Sequence, residues 1–415
     1  MFNKERWQEI FYVLKSNKLR TFLTAFGIFW GIFMLMIMLA TGNGFKNGMF
    51  RIFGDFATNS CFIWTRKTSM PYKGFNKDRR FDFEMKDIAL LKERVPDIEY
   101  ISPKFQWGGI QISYDNKVES FTVNGDFPQF NLIDPVTILK GRYINFGDIR
   151  EKRKVLLIGD RVSQAFFKSH DEAMDKYLKI NGVYLKIIGV FESKHTGNWG
   201  EGQNGSVTMP LTTMQNTFNL GNRIGYLAVT AKKGTKVSMV EEQVIAALKS
   251  IHSIHPDDER AIGHYNVEKN YEETNGLFIG INILIWIVGA GTLLAGVIGV
   301  SNIMLIVVKE RTQEIGIQRA IGATPLHIIS QLLLESVFLT FVAGYLGLFV
   351  GVGVAEIVQR ATEGQEIEMF YKPNVDLNVA LLSLLILIVS GLVAGIIPAK
   401  RAVSVKPIDA IRSEN

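Results

Sequence analysis

The sequence predicts a membrane protein with four transmembrane helices, both termini cytoplasmic, and a large α+β two-lobed extracytoplasmic domain between helices 1 and 2. Three observations carry this. Residues 21–45, 275–308, 336–355 and 377–399 contain no charged side chain, and each run exceeds the roughly 18 apolar residues that mark a membrane span. Lys and Arg gather in the short segments on one side of these runs. The residues from 46 to 274 have ordinary globular composition. Averages hide this segregation: 415 residues, 47% hydrophobic and 21% charged, read as a soluble chain of two or three domains.

Residues 1–20 form the first cytoplasmic element. Trp7, Ile10, Phe11 and Leu14 recur at helical spacing with charged residues elsewhere around the helix, the pattern of an amphipathic helix lying on a membrane surface or packed on a partner protein. The first span follows at 21–45. It is too long for a signal-peptide core and no small-residue cleavage site follows it, so it is expected to stay attached.

The domain at 46–274 holds the only cysteine, Cys61, in the run SCFIWT. No intramolecular disulfide is open to it, and a buried strand position is expected. Asn181-Gly182 between YLKI and VYLKIIGV predicts a type I′ hairpin, and IQISY and VESFTV around residues 115–117 predict a second. Residues 237–252 carry an apolar stripe at helical spacing, and 84–94 and 160–167 are weaker helix candidates. Chemistry is scarce. His252, His255 and His264 near three acidic residues match no metal-ligand spacing and read as a solvated loop. The stretch 195–205, HTGNWGEGQNG, lacks the ending of a phosphate loop. It reads either as a mobile surface loop or as a periplasmic contact loop in which Trp199 anchors a partner or cargo.

The second span, 275–308, would be about 51 Å long as a helix against about 30 Å of hydrocarbon, so part of it should project as a stalk. A cytoplasmic segment follows at 309–335, then the third span at 336–358, a short extracytoplasmic loop at 359–376, the fourth span at 377–399 and a cytoplasmic tail at 400–415. Orientation follows from Lys4, Arg6, Lys15, Lys18 and Arg20 at the start, Lys309, Arg311 and Arg319 in the middle, and Lys400, Arg401, Lys406 and Arg412 at the end. All lie on one side of a four-span topology, which the positive-inside rule makes cytoplasmic. The net charge of +6 reflects that topology and implies no nucleic acid partner.

The spans lack the mid-membrane carboxylates, histidines and arginines that ion-coupled transporters use, and only Glu335 and Glu356 approach the hydrocarbon, at span ends. Ser301 and Asn302 read as helix–helix hydrogen-bonding groups, and Gly289, Gly291, Ala295, Gly296 and Gly299 as close-packing positions. No Walker phosphate loop occurs in the chain, so any ATP-derived power would be borrowed. The segment 309–335 is where it would enter. Charges alternate along 310–319, Ile315, Ile317 and Ile321 add apolar surface, Gly322-Ala323 breaks the helix, Thr324 caps a new one and Pro325 suits its first position. A short helix carrying His327, Ile328 and Gln331 should precede the third span, as a docking element rather than a plain solvated helix end.

These residues resemble a known family. KERTQEIGIQRAIGATPLHIISQLLLES is similar to the E-R-x-x-E-I-G-x-x-R-A-x-G-A segment of MacB/FtsX-type, or type VII, ABC transporter permeases. Residues 17–21 with Leu23-Thr24 and Gly27-Ile28, Gly299 with Asn302, and Gly395, Pro398-Ala399, Arg401-Ala402, Pro407, Ala410 and Arg412 fit the same family in order.

The resemblance implies a bacterial cytoplasmic (inner) membrane protein that couples a cytoplasmic ABC ATPase dimer to mechanical work by its periplasmic domain. The expected coupling residues are Glu310, Arg311, Glu314, Gly316, Arg319, Gly322, Ala323, Thr324, Pro325, Leu326, His327 and Gln331. No catalytic, metal or cofactor site is expected in this chain, ATP and Mg²⁺ belonging to a separate ATPase subunit. A second permease copy, identical or paralogous, membrane lipids, a periplasmic adaptor and an outer-membrane channel are the other implied partners. Efflux of a peptide, toxin or antibiotic is the leading activity. Lipoprotein release and signalling to cell-wall hydrolases are the alternatives.

Overall fold

The computed structural model describes residues 18–53, 57–195, 197–362 and 369–404. The amphipathic helix expected at 2–15 and most of the tail lie outside them. The chain divides into two compact units, Phe50–Gly276 and the remainder.

In the remainder, four helices are long and apolar enough to cross a membrane: Lys18–Phe53, Val267–Glu310, Pro325–Thr362 and Leu377–Ser404. All four run longer than the spans read from the sequence, and in two of them the extra length bears on the site. The second has 44 residues, beginning with the polar turns around Glu268 and Glu272, which at 1.5 Å per residue is about 66 Å. The third begins at Pro325 and runs unbroken to Thr362, so the short helix expected before it is its own first two turns.

Ile28, Ile32, Leu35, Met36 and Leu39 line one face of the first span. They meet Leu293, Val300 and Met304 of the second and Leu387 and Ala394 of the fourth in one core. Lipid supplies no hydrophobic drive between helices, so small residues that admit close backbone approach hold such a bundle. A Cβ at Gly347 would lie 2.5 Å from the Phe29 carbonyl oxygen, one at Gly351 2.7 Å from Met36 Cβ, and one at Gly391 2.9 Å from Thr340 Oγ1.

Of the glycines expected to pack on the second span, Gly289 meets Leu35 and Gly296 meets Ile28, whereas Gly291 and Gly299 face open space. The helix–helix hydrogen bond expected at Ser301 and Asn302 lies elsewhere. Ser336 Oγ of the third span donates to the Gly391 carbonyl of the fourth at 3.3 Å, and Asn302 is exposed. The segment before the fourth span is strapped to the first: Tyr371 N donates to the Gly44 carbonyl at 3.0 Å, and Asn43 and Asn47 donate to the carbonyls of Asn374 and Lys372.

The unit Phe50–Gly276 is built on strands β1 (Ser60–Thr65), β2 (Phe83–Glu84), β3 (Ile98–Tyr114), β4 (Lys117–Asp126), β5 (Val136–Gly141), β6 (Val155–Gly159), β7 (Tyr177–Ile180), β8 (Val183–Ser193), β9 (Ser206–Pro210), β10 (Arg223–Ile224), β11 (Tyr226–Ala231) and β12 (Ile262–Asn266). The main sheet runs β12-β1-β11-β3-β4-β9-β6-β8-β5, with β7 against β3 and β8. β3 is 17 residues long and joins two lobes. Its first half pairs with β11 and its second with β4, the register shifting between Trp107 and Ile110 where Gly109 takes φ +68°.

One lobe packs the helices Met85–Arg94 and Val237–Ile251 on β1 and β11 around Cys61, Leu227 and Val244. The other gathers Ile112, Leu156, Ile187 and Val207. Cys61 is fully buried, and burial pushes its thiol pKa up, away from reactivity. Both expected hairpins form, with Asn181 and Gly182 at φ +44° and +86° and Asp115 at +49°.

Between the lobes lies a buried polar cluster. Lys104 Nζ of β3 stands 3.4 Å from Asp126 Oδ2 of β4 and 3.8 Å from the centre of the Phe130 ring. Burial pushes the Asp126 carboxyl up to about 6 although Lys104 opposes the shift. The histidines read as a solvated loop are in part braces. His252 Nε2 donates to the buried Asp87 at 2.8 Å, and His264 Nδ1 to Glu241 at 2.7 Å.

Candidate functional site: the segment between the second and third spans

The second span ends at Glu310, whose side chain is exposed. Arg311, at φ −96° and ψ 13°, leaves the helix for one residue, and a nine-residue helix follows at Thr312–Ala320. Thr312 Oγ1 donates to the carbonyls of Val308 and Lys309, which satisfies groups that the helix end leaves unpaired. The short helix ends in a Schellman motif. Gly322 takes φ +109°, its N–H donates to the Arg319 carbonyl at 3.2 Å, and Ala323 N donates to the Gln318 carbonyl at 2.9 Å. Thr324 then caps the next helix, His327 N donating to its carbonyl at 3.0 Å and to Oγ1 at 3.4 Å, with Pro325 in the first helical position.

Two arginines tie this segment down. Arg311 Nε donates to Glu314 at 2.9 Å while its Nη1 reaches Glu335 of the third span at 3.2 Å. Glu335 is 4% exposed, so this pair is largely desolvated. Arg319 Nη1 donates at 2.7 Å to the Val403 carbonyl, in the last turn of the fourth-span helix, where a cation also meets the negative end of the helix dipole.

The apolar residues divide. Ile315 and Gly316 are buried, Ile315 in the core shared with Ile328 and Leu332, whereas Ile317, Ile321 and Leu326 are 45%, 83% and 76% exposed. His327 is exposed and Gln331 half-buried on the following turns. The structure therefore presents a helix–turn–helix knuckle with an apolar tip and two basic anchors at its base. Glu335 and the Val403 carbonyl complete it; Glu335 stood out in the sequence only as a carboxylate at a span end, with nothing in its neighbours to show its partner, and a carbonyl has no sequence signal at all.

The other expected contact residue, Trp199, has its side chain outside the described residues. The glycine-rich stretch around it contains a helix, Gly197–Asn204, with both flanks held. His195 Nε2 donates to Asp134 at 2.7 Å, Gln203 Nε2 to the same carboxylate at 3.3 Å, and Ser193 N to Asn204 Oδ1 at 2.7 Å. No group of His, Cys, Asp and Glu able to hold a metal ion occurs among the described residues.

Four apolar helices, a two-lobed domain after the first of them and a knuckle between the second and third define a multi-pass membrane protein of permease architecture. Comparison with known families agrees. The model of the MacB-like periplasmic core domain matches residues 21–247, and that of the FtsX-like permease C-terminal region matches residues 286–407. The chain belongs to the MacB/FtsX-type permease family.

Among curated relatives, it is 28% identical to the pyoverdine export ATP-binding/permease protein PvdT of Pseudomonas savastanoi pv. phaseolicola, over 98% of this chain and 59% of the relative. It is also 28% identical to the macrolide export ATP-binding/permease protein MacB of Wolinella succinogenes, over 99% and 61%. The chain thus spans about three-fifths of the length of these relatives. The crystal structure of the periplasmic region of MacB from Actinobacillus actinomycetemcomitans aligns at 18% identity and a TM-score of 0.43, over 53% of this chain and 94% of that one.

Proposed function

We propose that the chain is the permease part of an ABC transporter in a bacterial cytoplasmic membrane, working as a pair of permease copies. An ABC ATPase dimer grips the knuckle, and the long second span carries its nucleotide-driven movement to the periplasmic domain, which pushes cargo outward. The observation that carries this reading is the knuckle itself: an exposed apolar tip of Ile317, Ile321 and Leu326 on a base fixed by Arg311 and Arg319. A tip of this kind fits a groove on a partner, because apolar anchors at the centre of an interface carry most of its binding energy. The relatives named for macrolide and pyoverdine export favour efflux, and in this reading a periplasmic adaptor and an outer-membrane channel complete the path. Lipoprotein release and signalling would use the same mechanics and differ in what the periplasmic domain touches.

The double substitution Ile321→Asp with Leu326→Asp is expected to reduce co-purification of the ABC ATPase at least about 100-fold, as loss of two buried apolar anchors does, with the melting temperature of the chain unchanged. Undiminished co-purification would remove the knuckle as the docking face. Sidedness is testable separately, because Cys61 is buried and leaves a quiet background for introduced thiols. A cysteine at exposed Gln313 should react with a membrane-impermeant maleimide only after the membrane is opened, and one at exposed Val118 in intact spheroplasts. The reverse pattern would invert the topology.

A further inference from the structure

We infer that the Arg311–Glu335 ion pair is a clamp that makes the second and third spans respond together when the knuckle is pulled. This rests on the reading of the knuckle as the ATPase contact and adds a positioning role for Glu335.

The backbone alone does not couple the two spans stiffly. Between Glu310 and Thr312 the helix is interrupted by the single non-helical residue Arg311, and between Ala320 and Pro325 by the Schellman turn. Each interruption is a point where a load on the tip can be taken up by rotation about φ and ψ. The first is spanned by Thr312, whose Oγ1 reaches back to the carbonyls of Val308 and Lys309, and by one side chain that also reaches the third span. Arg311 sits on the break itself, reaches forward to Glu314 of the short helix at 2.9 Å and across to Glu335 of the third span at 3.2 Å.

Glu335 in turn belongs to a stiff body. The next residue, Ser336, is hydrogen-bonded to Gly391 of the fourth span, and Gly391 and Gly395 are pressed against Thr340 and Ser336. The Arg319 bond to the Val403 carbonyl fixes the far end of the short helix to the same fourth span. With both arginines engaged, displacement of Ile317 and Ile321 is passed to the third and fourth spans as well as to the second. With the Arg311–Glu335 pair gone, the break at Arg311 can flex, and the second span no longer moves with the third and fourth, which stay joined to the short helix through Pro325 and Arg319.

The pair is placed to hold under load. Arg311 is 17% and Glu335 4% exposed at the side chain, so water competes little for either group. A guanidinium also offers several donors in a fixed fork, which lets one side chain hold two carboxylates at once.

The test uses the full chain with its ABC ATPase in lipid nanodiscs and spin labels at exposed Ile298 of the second span and Phe349 of the third. Distances are measured by electron–electron double resonance with and without trapped ATP. Glu335→Gln is expected to retain ATPase co-purification while the ATP-dependent displacement of the Ile298 label is largely lost and that of the Phe349 label, still joined to the short helix through Pro325 and Arg319, persists. The charge exchange Arg311→Glu with both Glu314→Arg and Glu335→Arg, which keeps the two ion pairs with their signs reversed, is expected to restore the Ile298 displacement. An undiminished Ile298 displacement in Glu335→Gln overturns the clamp. So does a loss that the exchange does not restore, and so does loss of ATPase binding, which would make Glu335 part of the docking face. Failure of the unsubstituted chain to retain the ATPase through its knuckle defeats the underlying functional reading instead.

Discussion

Lys104→Met is expected to destabilise the domain between the first and second spans by about 3–5 kcal/mol, because it strands a carboxylate that is buried with its partner. Lys104 and Asp126 are 9% and 2% exposed at the side chain, and Asp134 lies against the same small cavity. For a unit of this size the loss corresponds to a fall of about 10 °C in melting temperature. Hydrogen exchange along β3 and β4 should report it locally.

The deficit should depend on pH with a definite sign. Asp126 has a folded-state pKa of about 6, above its unfolded value. Its proton therefore stabilises the fold fully below the unfolded pKa, and that contribution is lost as pH rises through about 6. Without Lys104 the carboxyl rises further, so the variant should recover stability between pH 7 and pH 5. The double variant Lys104→Met with Asp126→Leu should recover most of it at every pH, since an apolar pair of similar volume often replaces a buried ion pair without loss. A single variant whose melting temperature matches the unsubstituted protein at pH 7 would show that the pair is not desolvated as described.

Gly347→Leu is the second large effect. The first Cβ at this position would already lie 2.5 Å from the Phe29 carbonyl oxygen and 3.2 Å from Ile32 Cβ. A backbone carbonyl in the middle of a helix cannot turn aside, so the third span must move away from the first. Gly347→Ala alone should cost about 1–3 kcal/mol, the usual range for forcing a methyl group into a packed interior, and the leucine variant should fail to give a monodisperse protein in detergent. Gly353, six residues on, has open space where its Cβ would go, so Gly353→Ala should melt with the unsubstituted chain. Equal melting temperatures for Gly347→Ala and Gly353→Ala would refute the contact.

The spans and the strand-turn-strand signals were legible because they are local. An uncharged run of 34 residues between Thr274 and Lys309 admits few other readings, and Asn181-Gly182 fits a turn that needs positive φ at both positions. What escaped was set by distant partners. β3 was seen only as its last five residues, since Pro103 and Gly108-Gly109 punctuate the rest. Its continuity depends on β11, more than 100 residues away.

The knuckle shows the same limit within one helix. Ile315, Ile317 and Ile321 look alike in sequence, yet at about 100° per residue the latter two point about 200° and 240° away from the first. A helix of nine residues is too short for periodicity to say which side is inside. His252 read as solvent-facing because its partner Asp87 is 165 residues away, whereas His264, paired with Glu241, is exposed as read.

β3 has a mechanical meaning. A strand shared by two lobes is not a tether that can be peeled open bond by bond. Force applied along it loads its ladders to β11 and β4 in shear, so many hydrogen bonds must fail together before the lobes part. The register shift at Gly108-Gly109 is the one place along β3 where the strand can bend without breaking its ladder to β4. The lobes thus behave under tension as a single stiff part with one flexure, which suits the proposed role of delivering force rather than absorbing it.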